Sequence, residues 1–146
     1  MNIRSIFRQL IPSTCLLCGA TSGTGPLCGA CLADLPWHRQ PQCPQCAVPT
    51  PDGQVCGACL KHPPAFDRSR AALAYAFPLD RLIPRLKYNS RLAIAPALGE
   101  CLAASVASGP RPDCLIPMPL HAKRIRERGF NHATEVAREV AKRLDL

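Results

Sequence analysis

The chain has 146 residues, enough for one ordinary domain or for a small module and part of another. Its formal net charge of +8 favours a phosphate-bearing partner but does not by itself indicate a nucleic-acid binder. Arg4 and Arg8 interrupt the N-terminal apolar stretch, and residues 11–33 are rich in Gly, Ser, Thr and Pro, which excludes a signal peptide and a bilayer span. We therefore expect a cytoplasmic protein without a membrane span.

Cysteines are concentrated in the first part of the chain. Eight of the ten form four C-x-x-C pairs, and a reducing compartment favours metal ligation over disulfides. The eight are Cys15, Cys18, Cys28, Cys31, Cys43, Cys46, Cys56 and Cys59. The segment CLLCGATSGTGPLCGACL aligns without gaps on CPQCAVPTPDGQVCGACL, with nine residues between the pairs in both. Such a repeat predicts two similar units.

Two C-x-x-C pairs supply the four thiolates of a tetrahedral zinc site, so the sequence predicts two structural zinc ions. Units this short bury little apolar surface, and the metal must supply much of the folding free energy. No histidine completes a three-ligand catalytic site, while redox chemistry or an iron–sulfur cluster remains an alternative. The repeat favours sequential sites, although a cross-braced arrangement would use the same cysteines. Two zinc ions on eight thiolates would lower the net charge to about +4.

The composition changes near residue 65, where the cysteine pairs end. We predict an N-terminal segment and double zinc ribbon over 1–64, and an α/β unit over 65–146. Residues 69–77 are expected to form a strand because Tyr75 and Phe77 have high β-propensity.

Two helices are predicted next, over 79–88 and over 91–107. Pro84 should kink or shorten the first. The second is rich in Ala and Leu, which is typical of a helix packed between a sheet and its neighbours, and it should bury Cys101.

A short apolar strand is predicted over 113–117, with Cys114 buried in it. The last helix should begin at Asn131, a favourable N-cap, and it has an apolar stripe. The stripe consists of Ala133, Val136, Ala137, Val140, Ala141 and Leu144. The order helix, strand, basic loop, helix predicts a parallel α/β sheet with a ligand loop at the carboxyl end of a strand.

That loop, LHAKRIRERGFN, is strongly basic. Gly129 permits a turn, and the helix after Asn131 offers free N–H groups that attract anions. The pattern indicates a phosphate site, and a solvated basic turn is the alternative. His121 and His132 flank the loop and are expected to be surface histidines. The cationic residues are Lys123, Arg124, Arg126 and Arg128, with Glu127 as the one acidic residue.

The C-x-x-C pairs, the segment LDRLIPRLKYNSRL and the segment IPMPLHAKRIRERGFNHATEVA occur in this order. Together they resemble the ComF family of competence-associated proteins, including GntX-like members, which join a double zinc ribbon to a type I phosphoribosyltransferase-like domain. In that family the last segment has the form P-x-P-L-H, several basic residues and R-G-F-N-Q-A. His132 stands where the family usually has Gln.

The resemblance implies that 113–117 is an inner strand of the phosphoribosyltransferase sheet. It further implies that the following loop receives the pyrophosphate side of phosphoribosyl pyrophosphate, with Arg124, Arg128, Asn131 and Lys87 as ligand contacts. No catalytic residue is assigned. Magnesium with phosphoribosyl pyrophosphate would belong only to a full-length form. Single-stranded DNA and competence or DNA-processing proteins are the partners that the family implies.

The family continues into a strand with paired acidic residues and a Thr/Gly-rich phosphate loop, and neither occurs in these 146 residues. We therefore expect an incomplete phosphoribosyltransferase-like sheet, truncated before that loop and inactive alone. The alternatives are a zinc-ribbon module that binds single-stranded DNA and one that docks a protein, both without enzymatic activity. An aromatic content of 5% gives a base-stacking surface little support.

Overall fold

A computed structural model of the chain describes residues 13–23 and 25–146, so the predicted N-terminal segment 1–12 lies outside the described residues. The elements are β1 (Ser13–Thr14), β2 (Thr21–Gly23), α1 (Gly29–Ala33), α2 (Gly57–Lys61), α3 (Leu79–Tyr88), α4 (Ile94–Val106), α5 (Ala122–Arg128) and α6 (His132–Leu144). None of the helices among the described residues has the length and apolar character needed to cross a membrane.

The two cysteine repeats fold in the same way. In the first repeat β1 pairs antiparallel with β2, and Thr14 lies opposite Thr21. Gln42 and Pro49 occupy the same positions of the second repeat and form an isolated antiparallel bridge. Proline has no N–H to donate to a ladder, which explains why the second pairing does not extend into a strand.

The segment between the repeats is held by the chain that follows the second repeat. Trp37 forms an antiparallel bridge with Leu73. The N–H of His38 donates to the carbonyl of Ala72 at 3.0 Å. The Gln42 side chain donates to the Ala71 carbonyl at 3.2 Å. Residues 36–44 therefore run antiparallel to residues 69–74.

The three predicted helices are confirmed within a few residues of their expected ends. Helix α3 continues through Pro84 and buries Leu79, Leu82 and Leu86 on one face. Helix α4 buries Cys101, as predicted, and this burial, followed by the charge of Glu100, raises the pKa of the Cys101 thiol to about 11.

Helices α4 and α6 pack closely against each other around Gly99. A Cβ atom at Gly99 would lie 2.6 Å from the Glu139 Cβ and 3.1 Å from the Val136 carbonyl oxygen. The absence of a side chain at this position therefore lets the two helices approach. At the edge of the contact Arg143 forms ion pairs with Glu100 at 3.2 Å and with Glu139 at 3.0 Å.

The first zinc repeat is joined to the helices by apolar side chains. Leu16 and Leu17, which lie between Cys15 and Cys18, pack against two buried clusters. One cluster contains Cys15, Leu27, Leu35, Ala97 and Cys101, and the other contains Leu82, Leu86, Ile94 and Ala95. The core of the described chain is thus shared between the first repeat and helices α3 and α4.

The predicted strands over 69–77 and 113–117 are wrong, and the described residues contain no parallel sheet. A strand is stabilised by hydrogen bonds to a neighbour, and residues 69–77 form one bridge, at Leu73. Residues 113–119 form none, and Ile116 is 85% exposed. The prediction that Cys114 is buried is also wrong, because this thiol is exposed. High β-propensity therefore did not suffice without a partner strand.

Replacement of Gly99 by alanine should lower the free energy of unfolding by about 1–3 kcal/mol, because the added methyl group meets the α6 backbone and forces the helices apart. Urea unfolding followed by circular dichroism at 222 nm measures this change. Gly57→Ala is the matched control, since an added Cβ at this helical glycine would have no atom within 4 Å. Equal stability of the two variants would contradict the close crossing.

Candidate functional site

The eight paired cysteines form two separate clusters. One consists of Cys15, Cys18, Cys28 and Cys31, the other of Cys43, Cys46, Cys56 and Cys59, and within each cluster all four sulfurs lie within 4.8 Å of one another. The sites are therefore sequential and not cross-braced.

The sulfur positions fit zinc. The Cys18 and Cys28 sulfurs are 3.7 Å apart, and those of Cys46 and Cys56 are 3.6 Å apart. A tetrahedral site with zinc–sulfur distances of about 2.3 Å places its sulfurs about 3.8 Å apart. A disulfide would need about 2.05 Å, and all of these cysteines are free thiols. The two four-cysteine sites thus fit two structural zinc ions.

Each site combines a tight loop with the start of a short helix. In the loops, the N–H of Gly19 donates to the Cys15 carbonyl at 2.9 Å, and the N–H of Ala47 donates to the Cys43 carbonyl at 2.8 Å. The other pair of each site begins at the N-cap of a helix, at Cys28 for α1 and Cys56 for α2. Helices α1 and α2 begin at equivalent positions because the sequence CGACL occurs in both repeats.

The thiols of one cluster have divergent acidities. Burial raises the pKa of Cys15, but N–H groups of Cys18 and Cys28 lower it more, so it falls to about 6. The pKa of Cys43 also falls to about 6, since the N–H groups of its loop outweigh burial.

The last thiol of each cluster resists ionisation. Hydrogen bonds with the Cys18 and Cys28 thiols raise the pKa of Cys31 to about 12. Burial, followed by hydrogen bonds with neighbouring thiols, raises the pKa of Cys59 to about 12. Four thiolates this close repel one another, and a bound divalent cation removes that repulsion.

A second group of functional side chains lies at the start of α6. The guanidinium carbon of Arg128 lies 4.9 Å from the centre of the Tyr88 ring. Burial lowers the pKa of His132, and the positive charges of Lys87 and Arg128 lower it further. The His132 Nδ1 is buried without a hydrogen-bond partner among the described residues. We call Lys87, Tyr88, Arg128 and His132 the cationic cluster.

Of the four predicted phosphate contacts, Lys87 and Arg128 lie close enough to His132 for their positive charges to lower its pKa. Arg124 instead forms an ion pair with Glu127 at 2.9 Å. The amide of Asn131 is also engaged, because its Oδ1 accepts from the Ala133 N–H at 3.0 Å and its Nδ2 donates to the Met118 carbonyl at 2.9 Å. Asn131 is thus the N-cap that the sequence predicted.

The basic segment itself is helical and not a loop. Residues Ala122–Arg128 form α5, with His121 as its N-cap and Gly129 as its C-cap. Gly129 has a φ of +78°. Its Ala, Lys, Arg and Glu residues are strong helix formers, which explains the difference from the predicted loop. The sequence reasoning did not assign Tyr88 or His132 to the site, although Tyr88 follows Lys87 directly and His132 departs from the family pattern.

Known proteins resemble both parts of the chain. Residues 6–60 match the family described as double zinc ribbon domain. Over 141 residues the chain is 35% identical to DNA utilization protein YhgH of Salmonella typhi, which covers 90% of this chain and 61% of that relative. It is 28% identical over 127 residues to Competence protein F of Haemophilus influenzae, covering 83% of this chain and 49% of the relative. These matches support the resemblance of the chain to the ComF family.

The similarity to a third relative is shorter. DNA utilization protein YhgH of Escherichia coli K12 is 36% identical over 77 residues, which is 49% of this chain and 34% of the relative. The chain therefore spans about half of Competence protein F and less than two thirds of the Salmonella protein. No solved structure matches the chain.

Cys28→Ser and Cys56→Ser should each lower the bound zinc from two ions per chain to one, because each removes one ligand from a different four-cysteine site. Zinc is measured by elemental analysis of the purified variants. Cys114→Ser is the matched control, since this exposed cysteine belongs to neither cluster, and it should retain both ions. Retention of two ions by either ligand variant would contradict the ligand sets.

Exchanging glycine and alanine at the equivalent positions of the two zinc loops tests their backbone conformation. Gly19 has φ of +75°, and the equivalent Ala47 has φ of +62°, a conformation unfavourable for residues with a Cβ. Gly19→Ala should therefore destabilise the zinc-loaded protein by about 1 kcal/mol, and Ala47→Gly should stabilise it by up to about 1 kcal/mol. Thermal unfolding in excess zinc measures both, and changes of the same sign would contradict the loop geometry.

Proposed function

We propose that this ComF-family protein acts in DNA utilisation linked to DNA uptake, and that its helical half binds a phosphorylated ribose ligand at the cationic cluster. The printed names of the relatives, Competence protein F and DNA utilization protein, support the first part. The second part rests on one observation. The guanidinium group of Arg128, the last residue of α5, lies over the ring of Tyr88, the last residue of α3, next to Lys87 in the sequence.

The cluster has the chemistry of a phosphate site. Helix α6 has 13 residues, and the N–H groups of its first turn together with its dipole favour an anion. Arg128 is half-buried against Tyr88, so its guanidinium group is held before a ligand arrives.

The resemblance to ComF proteins supports a ligand of the phosphoribosyl pyrophosphate type, which magnesium would accompany in a full-length form. On this proposal residues 65–146 contribute the pyrophosphate-binding part of a type I phosphoribosyltransferase-like unit. Lys87 and Arg128 would neutralise charge on the pyrophosphate, the group that leaves in phosphoribosyl transfer. The zinc sites would stabilise the fold without taking part in chemistry.

A second candidate is a DNA-binding module without enzymatic activity, which the relatives' names and the net charge of +8 also support. The two candidates differ in the ligand that the cationic cluster prefers. A phosphoribosyl site should select the small ligand with magnesium, whereas a strand-binding surface should prefer an oligonucleotide with a steep salt dependence.

Arg128→Ala should weaken binding of phosphoribosyl pyrophosphate at least about tenfold, because a charge-assisted hydrogen bond contributes about 1.5–3 kcal/mol. Lys87→Ala should have a similar effect. Isothermal titration calorimetry in magnesium measures the affinity, with single-stranded oligothymidylate as the second ligand.

Arg126→Ala is the matched control for this titration. Arg126 is exposed on the same short helix and is not among the charges that act on His132, so its loss should change the affinity less than about twofold. Absence of binding, or equal affinities of the Arg126 and Arg128 variants, would refute the phosphoribosyl site. Oligothymidylate bound more tightly, with the same loss on Arg128→Ala, would favour the DNA-binding candidate.

A further inference from the structure

A second basic surface lies beside the second zinc site and shares no residue with the cationic cluster. A cavity of about 560 Å³ is lined by residues of the segment that joins the two ribbons and of the segment that follows the second ribbon. We call it the inter-ribbon groove. Its charged and imidazole side chains are His38, Arg39, Arg68 and Arg70, and none of the described residues that line it is Asp or Glu.

The arginines of the groove form no ion pair with a carboxylate among the described residues. Within the described residues, the arginines of the ion pairs are Arg111, Arg124, Arg138 and Arg143, so none of the groove arginines takes part. His38 also contributes a buried Nδ1 that has no hydrogen-bond partner in the described part of the chain. The groove therefore gathers three guanidinium groups that have no carboxylate partner among the described residues.

The walls of the groove are fixed by backbone hydrogen bonds. The N–H of Ser69 donates to the Pro44 carbonyl at 3.1 Å. The Gln42 side chain both donates to the Ala71 carbonyl and accepts from the Ala71 N–H. Arg39 on one segment thus faces the same cavity as Arg68 and Arg70 on the other, without a loop having to close.

The charge of the second zinc site does not cancel this cationic surface. Zinc with four thiolates carries a formal charge of about −2, and Cys43 lines the groove. The Cys43 sulfur is fully buried and accepts from the Cys56 N–H at 3.3 Å, which disperses part of its charge. The positive charge of the three exposed guanidinium groups is larger than the negative charge of the zinc site, and these groups face the solvent.

We propose that the inter-ribbon groove binds phosphate groups through Arg39, Arg68 and Arg70. Guanidinium groups bind phosphate with two parallel hydrogen bonds, and three of them on a rigid frame suit a ligand with more than one phosphate. The cavity volume lies in the range of small-molecule sites. The phosphates could belong to a free polyphosphorylated molecule or to a nucleic-acid strand, and both present the same chemistry to the arginines.

The single tryptophan offers a local signal for binding. Trp37 lines an adjoining cavity of about 400 Å³, which shares His38, Arg39, Gln42 and Arg70 with the groove. A ligand that engages Arg39 and Arg70 should therefore change the Trp37 fluorescence. Lys87 and Arg128 belong to the other site, so titrations in the Lys87→Ala, Arg128→Ala background isolate the groove.

In this background, inorganic tripolyphosphate and a twelve-nucleotide oligothymidylate are titrated separately into the zinc-loaded chain. We expect saturable binding of at least one probe, and Arg39→Ala, Arg68→Ala and Arg70→Ala should each weaken it at least about tenfold. Arg81→Ala, which removes an exposed arginine from α3, is the matched control and should change it less than about twofold. Zinc content and circular dichroism verify that each variant is folded.

The two probes identify the source of the phosphates. Binding of tripolyphosphate alone would assign the groove to a free phosphorylated molecule. Tighter binding of the oligonucleotide would assign it to a strand, and each groove variant should then reduce the slope of log affinity against log salt by about 0.7. The proposal is overturned if neither probe saturates, or if the groove variants lose no more affinity than Arg81→Ala.

Discussion

The described structure depends on the contact between one zinc loop and two apolar clusters. Leu16 and Leu17 lie between two zinc ligands, and their side chains pack against buried residues of α3 and α4. A tetrahedral metal fixes the loop that carries them, so zinc binding and helix packing act on the same few residues. Without the metal, the like charges of four thiolates would open the loop and expose the leucines. The zinc site is therefore part of the hydrophobic core and not an appendage to it.

The second repeat shows what happens to the same loop when its apolar residues are lost. Pro44 and Gln45 replace the two leucines, and neither belongs to the buried clusters. The second zinc site is instead connected to the rest of the chain by backbone hydrogen bonds along residues 36–44 and 69–74. Duplication thus produced two units with different roles, one that supports the helices and one that leaves an arginine-lined groove at the surface. The two proposed phosphate sites lie on different parts of this frame.

The sequence predicted those features that depend on local spacing. Cysteine spacing indicated both zinc sites, and period and capping residues indicated α3, α4 and α6, including the N-cap at Asn131. The errors concern features that need a distant partner. Residues 113–117 have strand-like composition but no paired strand within the described chain, and the close crossing at Gly99 depends on residues of α6. The contact of Arg128 with the Tyr88 ring could not be predicted from spacing, because it joins α5 to α3. The ion pair of Arg124 with Glu127 is a local contact within α5, whereas the hydrogen bond of Asn131 to the Met118 carbonyl joins residues 13 positions apart.

Hydrogen–deuterium exchange of the α3 and α4 amides tests the link between the first zinc site and the helical core most directly. The measurement compares the zinc-loaded chain with the Cys28→Ser and Cys56→Ser variants, each with its remaining ion bound. The account predicts that α3 and α4 lose protection in Cys28→Ser, because the loop carrying Leu16 and Leu17 opens, and keep most of it in Cys56→Ser. Full protection of both helices in Cys28→Ser would contradict the account, since the core would then form without the first zinc site.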